Sequence, residues 1–277
     1  MTSYDIEVAQ GQRFEFGRNW TTFLESLTDE RIEAAKRSLQ DFLETEDLKG
    51  KTFIDIGAGS GLFSLAARML GASVHSFDYD PQCVACARRL KDQYFPGDDH
   101  WLIEEGSAMD VAYLARLGQS DVVYSWGVLQ HTGDMWRALG NIVPMVRPRG
   151  KLFIAIFNDQ GPASVRWRKV KRFYNASHPA IRRLLVAVIG AYFGFRRFLS
   201  QALRLRNPFK SSGYLPGRGM SRHTDLVDWI GGYPFEVAKP EEIFDFYRQK
   251  GFTLLRMKTL GGGRGCNQYV FLRSEVT

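Results

Sequence analysis

The sequence predicts an α/β fold, a doubly wound and mainly parallel sheet of seven strands with a largely helical insertion after the fifth. Three observations predict it. Between residues 51 and 157, strand-like and helix-like segments alternate without interruption. Near the start of that run, Phe53-Ile-Asp-Ile-Gly-Ala-Gly-Ser-Gly61-Leu-Phe-Ser64 reads as a buried strand, a tight glycine turn and a helix start. After a break of about eighty residues the pattern resumes with a helix over 241–250 and two strands, 252–257 and 267–273, that form an antiparallel closing hairpin.

The elements follow in order. Residues 12–20 are aromatic and charged without a clear period and read as a lead-in lying over the site. Thr28 then caps a helix on which Ile32, Ala35, Leu39, Phe42 and Leu43 recur at helical spacing, ending before Lys49-Gly50. The sheet region comprises strand Thr52–Ile56, helix 61–70, strand Ser73–Asp78, helix 81–94, strand 100–105, helix 111–117, strand 121–126, helix 134–146 and strand 151–157. Asp80-Pro81 opens the helix at 81, with aspartate as its cap and proline at the first helical position. These segments suggest a lead-in over 1–49, a core formed by 50–157 with 239–277, and an insertion over 158–238.

Ligands of such sheets bind beyond the carboxyl ends of the strands, which makes the glycine turn the first candidate. A dinucleotide fingerprint needs a third glycine at position 62, which is leucine, and a Walker loop needs a Gly-Lys-Ser/Thr closing the glycine turn, where Gly61-Leu-Phe stands instead. The remaining pattern, Asp-x-Gly-x-Gly-x-Gly from Asp55 to Gly61, resembles motif I of the class I S-adenosylmethionine-dependent methyltransferases. Their cofactor has no phosphates and carries a sulfonium and an ammonium, so its site gains more from carboxylates than from lysines.

The resemblance implies a Rossmann-like core with S-adenosylmethionine as cofactor. It implies cofactor contacts at Asp55, Gly57, Ala58, Gly59 and Gly61, and at Asp78 and Tyr79 at the end of the second strand, where Asp78 accepts from the ribose hydroxyls. Glu105-Gly-Ser-Ala-Met-Asp110 is similar to the adenine-side motif, with Ser107 where an acidic residue often stands, and adds Ser107, Ala108 and Met109. Tyr124-Ser-Trp-Gly-Val-Leu-Gln-His131 adds Trp126 and Gly127, an aromatic face beside a sulfonium. Arg18 or Arg13 would pair with the cofactor carboxylate. His131 stands either as general base or as part of the pocket floor.

Composition bounds the rest. The chain has 277 residues, 44% of them hydrophobic, enough for one large core with an appended element. Its first residues show no basic start followed by an apolar run, so no secretory leader is expected, and three cysteines make no disulfide framework. Cys83 and Cys86 lack a second pair or nearby histidines, so no metal is expected. A cytoplasmic location follows from these readings, with peripheral contact at the inner membrane face if the insertion meets lipid.

Net charge is +7, but residues 160–224 hold fourteen Lys/Arg and no Asp or Glu; the remaining 23 basic residues face 30 acidic ones, leaving −7. An acidic body thus carries a basic insertion. Residues 179–206 read as one helix with arginines along one arc and Leu184, Val188, Tyr192, Phe195 and Leu199 opposite; its apolar run is too short to cross a bilayer. Three roles are open: a lid over the site, an interfacial helix admitting a lipid-linked acceptor, or a nucleic-acid surface, ranked last because a long aliphatic helix is a poor phosphate groove.

His223, Glu236 and Arg222 are candidates for acceptor contact or base, and Asn267 for a contribution from the far side. Ubiquinone-pathway O-methyltransferases, which the core resembles, also carry an insertion after the fifth strand. The expected activity is methyl transfer to an oxygen or nitrogen of a small-molecule or lipid-linked acceptor. Alternatives are an RNA-modifying enzyme and a non-catalytic cofactor-binding subunit.

Overall fold

A computed structural model describes residues 2–203 and 222–275, the side chains of 202–203 and 222–224 excepted. Three helices come first: α1 (Ser3–Ala9), α2 (Phe16–Glu25) and α3 (Asp29–Leu43). The alternating region follows as β1 (Thr52–Ile56), α4 (Leu62–Met69), β2 (Ser73–Asp78), α5 (Pro81–Tyr94), β3 (Trp101–Glu105), α6 (Val111–Leu117), β4 (Ser120–Trp126), α7 (Met135–Asn141) and β5 (Val146–Phe157). The insertion supplies α8 (Pro162–Ala176), α9 (Pro179–Leu203) and α10 (Arg222–Gly231), and the chain closes with α11 (Pro240–Arg248), β6 (Phe252–Lys258) and β7 (Cys266–Arg273).

The seven strands form one sheet in the order β3-β2-β1-β4-β5-β7-β6. β1 to β5 are parallel, and β7 runs antiparallel to both β5 and β6. Burial on both faces explains the apolar strands. Phe53, Val122, Tyr124 and Phe153 face a cluster with α3 and α4, whereas Ile54, Val123, Leu152 and Ile154 face the one with α7 and α11. No helix among the described residues is long and apolar enough to cross a membrane.

The structure departs from the sequence reading in four places, each with a local cause. The helix predicted over 134–146 ends at Asn141 and continues as a short 3-10 turn, Val143–Met145, because Pro144 has no N–H to donate. β5 begins at Val146 rather than 151. The aperiodic stretch over 12–20 enters a helix, α2, at Phe16. On α9, Leu185, Val186 and Ile189 pack inward onto Phe14, Tyr174 and Ile230, which turns the predicted apolar stripe outward. Leu184, Val188, Tyr192, Phe195 and Leu199 are each between 47% and 64% exposed.

Asp80 does cap α5, its Oδ1 accepting from the Gln82 amide at 2.9 Å, with Pro81 at the first helical position. Its Oδ2 also accepts from the Tyr4 hydroxyl at 2.5 Å and from the Gly17 amide at 2.7 Å. One buried carboxylate therefore ties α1 and α2 to the carboxyl end of β2. Replacing it leaves a buried hydroxyl and a buried amide without their acceptor, which costs about 2–4 kcal/mol. Asp80→Ala is expected to lower the urea unfolding free energy by that amount; an unchanged midpoint and slope would show that the tie carries no stability.

Candidate active site

A cavity of about 800 Å³ opens at the carboxyl ends of β1, β2 and β4. The glycine turn forms its floor. Gly57 and Ala58 donate their amides to the Phe77 carbonyl at 2.8 and 3.1 Å, and Gly59 donates to Asp78 Oδ2 at 2.9 Å. Gly57 and Gly59 both have positive φ, 73° and 56°. A Cβ on Gly57 would lie 2.3 Å from Val128, and one on Gly59 would lie 3.0 Å from the Trp20 indole. The turn is therefore built for close approach from both sides.

Of the residues assigned to the cofactor from sequence, Gly57, Ala58, Gly59, Asp78, Tyr79, Ser107, Ala108, Met109, Trp126 and Gly127 all line the cavity. Asp55 and Gly61 do not. Asp55 is buried beneath the turn, where it accepts from Ser64 on α4 at 2.5 Å; Ser64 accepts from Ser76, and Ser76 from the Trp101 indole. It thus orients the helix behind the turn rather than a ligand in front. Gly61 lies against α5, where a Cβ would come within 2.9 Å of Ala87.

Arg18 is exposed and outside the lining, while Arg13 lines the cavity. Glu7 holds the Arg13 guanidinium at 2.6 Å, and Arg13 donates to the His131 carbonyl at 2.9 Å. Glu236 is corrected as a site residue, because its Oε2 accepts from the Met135 amide at 2.9 Å and closes the start of α7, away from the cavity. Arg222 and His223 sit in the first turn of α10, with side chains outside the described residues. Asn267 is fully buried and donates to Asn158, which in turn holds the β6–β7 turn through Gly261 and Gly263. It fastens that turn rather than facing the cavity.

His131 lines the cavity with its ring against Phe16, 4.9 Å between centroids. Its Nδ1 lies 2.6 Å from the Pro234 carbonyl, a pure acceptor, so Nδ1 carries the proton and Nε2 the lone pair. Burial first, then the positive charges of Lys171 and Arg13, push its pKa down to about 3. The ring is therefore neutral at physiological pH.

Three further features of the site were not among those read from sequence. Phe16 and Trp20 of α2 line the cavity, placed there by the tie to Asp80. Asp225 and Asp228 of α10 line it too, and Asp228 accepts from Asn19 at 2.6 Å. Lys171 of α8 is fully buried; its ammonium donates to the Trp229 carbonyl and sits 4.6 Å from the Trp229 ring and 4.7 Å from Phe235. Burial pushes its pKa down to about 7 despite nearby Asp228. The sequence signal was the spacing of Trp167, Lys171 and Tyr174, which puts the lysine on an aromatic helix face.

The site also fits the cofactor electrostatically. Asp78 lines the cavity with no ion-pair partner among the described residues, and burial pushes its pKa up to about 6. A ligand bringing hydroxyl donors and cationic centres compensates that charge; a phosphate would oppose it.

This fold and this site define a cofactor-dependent methyltransferase of class I. Residues 27–188 match the family described as a methyltransferase domain, and the chain belongs to it. Its cofactor is S-adenosylmethionine. Among curated proteins it is 29% identical over 112 residues to the ubiquinone biosynthesis O-methyltransferase of Coxiella burnetii, covering 40% of this chain and 45% of that one. It is 48% identical over 153 residues to the ribosomal protein L11 methyltransferase of Tolumonas auensis, covering 51% and 45%. The chain thus spans less than half the length of these relatives. Magnesium protoporphyrin IX methyltransferase from Synechocystis PCC 6803, solved with S-adenosylhomocysteine, shares the fold at a TM-score of 0.51 and 14% identity, over 88% of this chain and 83% of that one.

Asp78→Ala removes the acceptor at the end of β2, and Gly59→Val fills the space beneath Trp20. Calorimetric titration with S-adenosylmethionine should show affinity reduced about 10²-fold or more in each. Wild-type affinity in both variants would remove the cofactor from this cavity.

Proposed function

We propose that the chain methylates an oxygen or nitrogen of a small molecule held between His131, Phe157, Trp229 and the acidic pair Asp225 and Asp228. The observation that carries this reading is His131, a neutral imidazole of fixed tautomer in the wall of the cofactor cavity. When bound, S-adenosylmethionine supplies a methyl group on a sulfonium, whose departure leaves a neutral thioether.

The chain's own residues bind and orient the acceptor. Nε2 of His131 accepts a hydrogen bond from the acceptor's O–H or N–H and turns the attacking lone pair towards the cofactor. With its pKa down at about 3, His131 holds that proton only in passing at neutral pH. As the new bond to the methyl carbon forms and the bond to sulfur breaks, the proton leaves the acceptor through Nε2 and is passed on to solvent. Positioning then supplies most of the rate, as it does wherever two reactants are held in line. Phe16 and Trp20 cover the cavity and restrict water. At this end Arg13 is paired with Glu7 and Lys171, behind the lining, lies near Asp228, a balance that favours an uncharged acceptor.

Purified protein incubated with methyl-labelled S-adenosylmethionine and phenolic or amine acceptors is expected to transfer label, and His131→Ala to lower kcat/KM by about 10²-fold. The wild-type rate should show no His131-dependent break between pH 5 and 8. A break near 6.5 that disappears in the variant would overturn the assigned protonation state, and transfer undiminished in His131→Ala would overturn the role.

The outward apolar stripe of α9, with the Arg196 guanidinium 5.9 Å from the Tyr192 ring centre, supports peripheral contact with an anionic membrane on the cytoplasmic side, which would admit a lipid-linked acceptor. Co-sedimentation with phosphatidylglycerol vesicles should be lost on replacing Leu184 and Phe195 together by glutamate. Failure of the wild type to pellet, or pelleting with tRNA instead, would overturn that contact.

A further inference from the structure

Outside the cofactor cavity, a second one of about 890 Å³ lies between α8, α9 and the turn that joins β6 to β7. Four arginines line it, drawn from three separate elements: Arg166 from α8, Arg196 and Arg197 from α9, and Arg264 from the turn. Trp167, Tyr192 and Phe193 supply an aromatic wall. No acidic side chain is among the lining residues. The insertion around it is poor in acids as well, since residues 160–224 contain no Asp or Glu.

We propose that this cavity binds an anionic, phosphate-bearing ligand, the phosphate held among the four guanidinium groups and any apolar part laid against Trp167 and Phe193. Each guanidinium presents a planar fork of N–H donors that matches phosphate oxygens in pairs. Four such groups suit the double charge of a phosphate monoester, or a diester with a second anionic group, better than a single carboxylate.

Two further observations agree with this assignment. The Arg264 guanidinium lies 3.8 Å from the Phe193 ring centre, and burial together with the charge of Arg196 lowers its pKa. Like charges converging on a partly apolar space repel one another until an anion sits between them. The cavity also shares a wall with the active site: Trp167 packs on Trp229 at 5.6 Å, and Trp229 lines the cofactor cavity. The ligand is distinct from the methyl acceptor, so the assignment does not rest on the acceptor proposed above.

Isothermal titration of the full chain tests it with three probes: inorganic phosphate, dihexanoylphosphatidic acid, a phosphate monoester, below its micellar concentration, and dihexanoylphosphatidylcholine at the same concentrations. Saturable binding of phosphate or of the anionic lipid is expected, the first identifying a free anion and the second a lipid headgroup. Arg264→Gln and Arg166→Gln, on opposite walls, should each weaken it about tenfold or more while leaving S-adenosylmethionine affinity unchanged. Absence of binding by both anionic probes, equal affinity for the zwitterionic lipid, or wild-type affinity in both variants would each overturn the proposal.

Discussion

Three successive amides of the glycine turn are bonded to the end of β2, two to the Phe77 carbonyl and the third to the Asp78 carboxylate. These bonds require the parallel register that sets Ile56 beside Phe77. A slip of one residue would turn the phenylalanine carbonyl away and put the apolar strand residues on the wrong faces. Sheet pairing and site geometry are therefore one constraint. The same carboxylate lines the cavity, so the group that holds the turn is also one of the cavity's acceptors.

Two residues further on, Asp80 extends that organisation to the start of the chain. By accepting from Tyr4 and Gly17 it brings α2 over the glycine turn, and only then do Phe16 and Trp20 become walls of the cavity. The insertion is fastened to the same segment. Phe14 packs with Tyr174 and Ile230, and Asn19 donates to Asp228. Cofactor wall and acceptor wall consequently support one another although some two hundred residues separate them in sequence.

The contrast between what could and could not be read from sequence follows from this geometry. Strand positions, the glycine turn, Asp78 and the Asp80 cap were legible because each is a pattern within a few neighbouring residues. Arg13 against Arg18 was not, because which of them faces the cavity depends on how the segment sits against Asp80 and Glu7. Glu236 looked reactive among turn residues, but its partner is the Met135 amide about a hundred positions away. On α9 the arginine arc was visible, yet its orientation was not: helical spacing marks an apolar stripe without saying whether the core or the solvent receives it. Here Leu185, Val186 and Ile189 won the core contact, since Tyr174 and Ile230 stand beneath them.

Lys171 shows how charge is divided between the two cavities. Attraction to three aromatic rings and a carbonyl would hold the ammonium charged, and burial opposes it; the fall to about 7 says that burial prevails. Burial first, and then the positive charges of Lys171 and Arg13, keep His131 neutral, while Asp228 offsets the Lys171 charge. Beyond Trp229 the described lining of the second cavity holds no carboxylate, and the packed Trp167 and Trp229 rings stand between the two cavities. The neutral acceptor proposed for one side and the anion proposed for the other each match the charge of the cavity that would hold them.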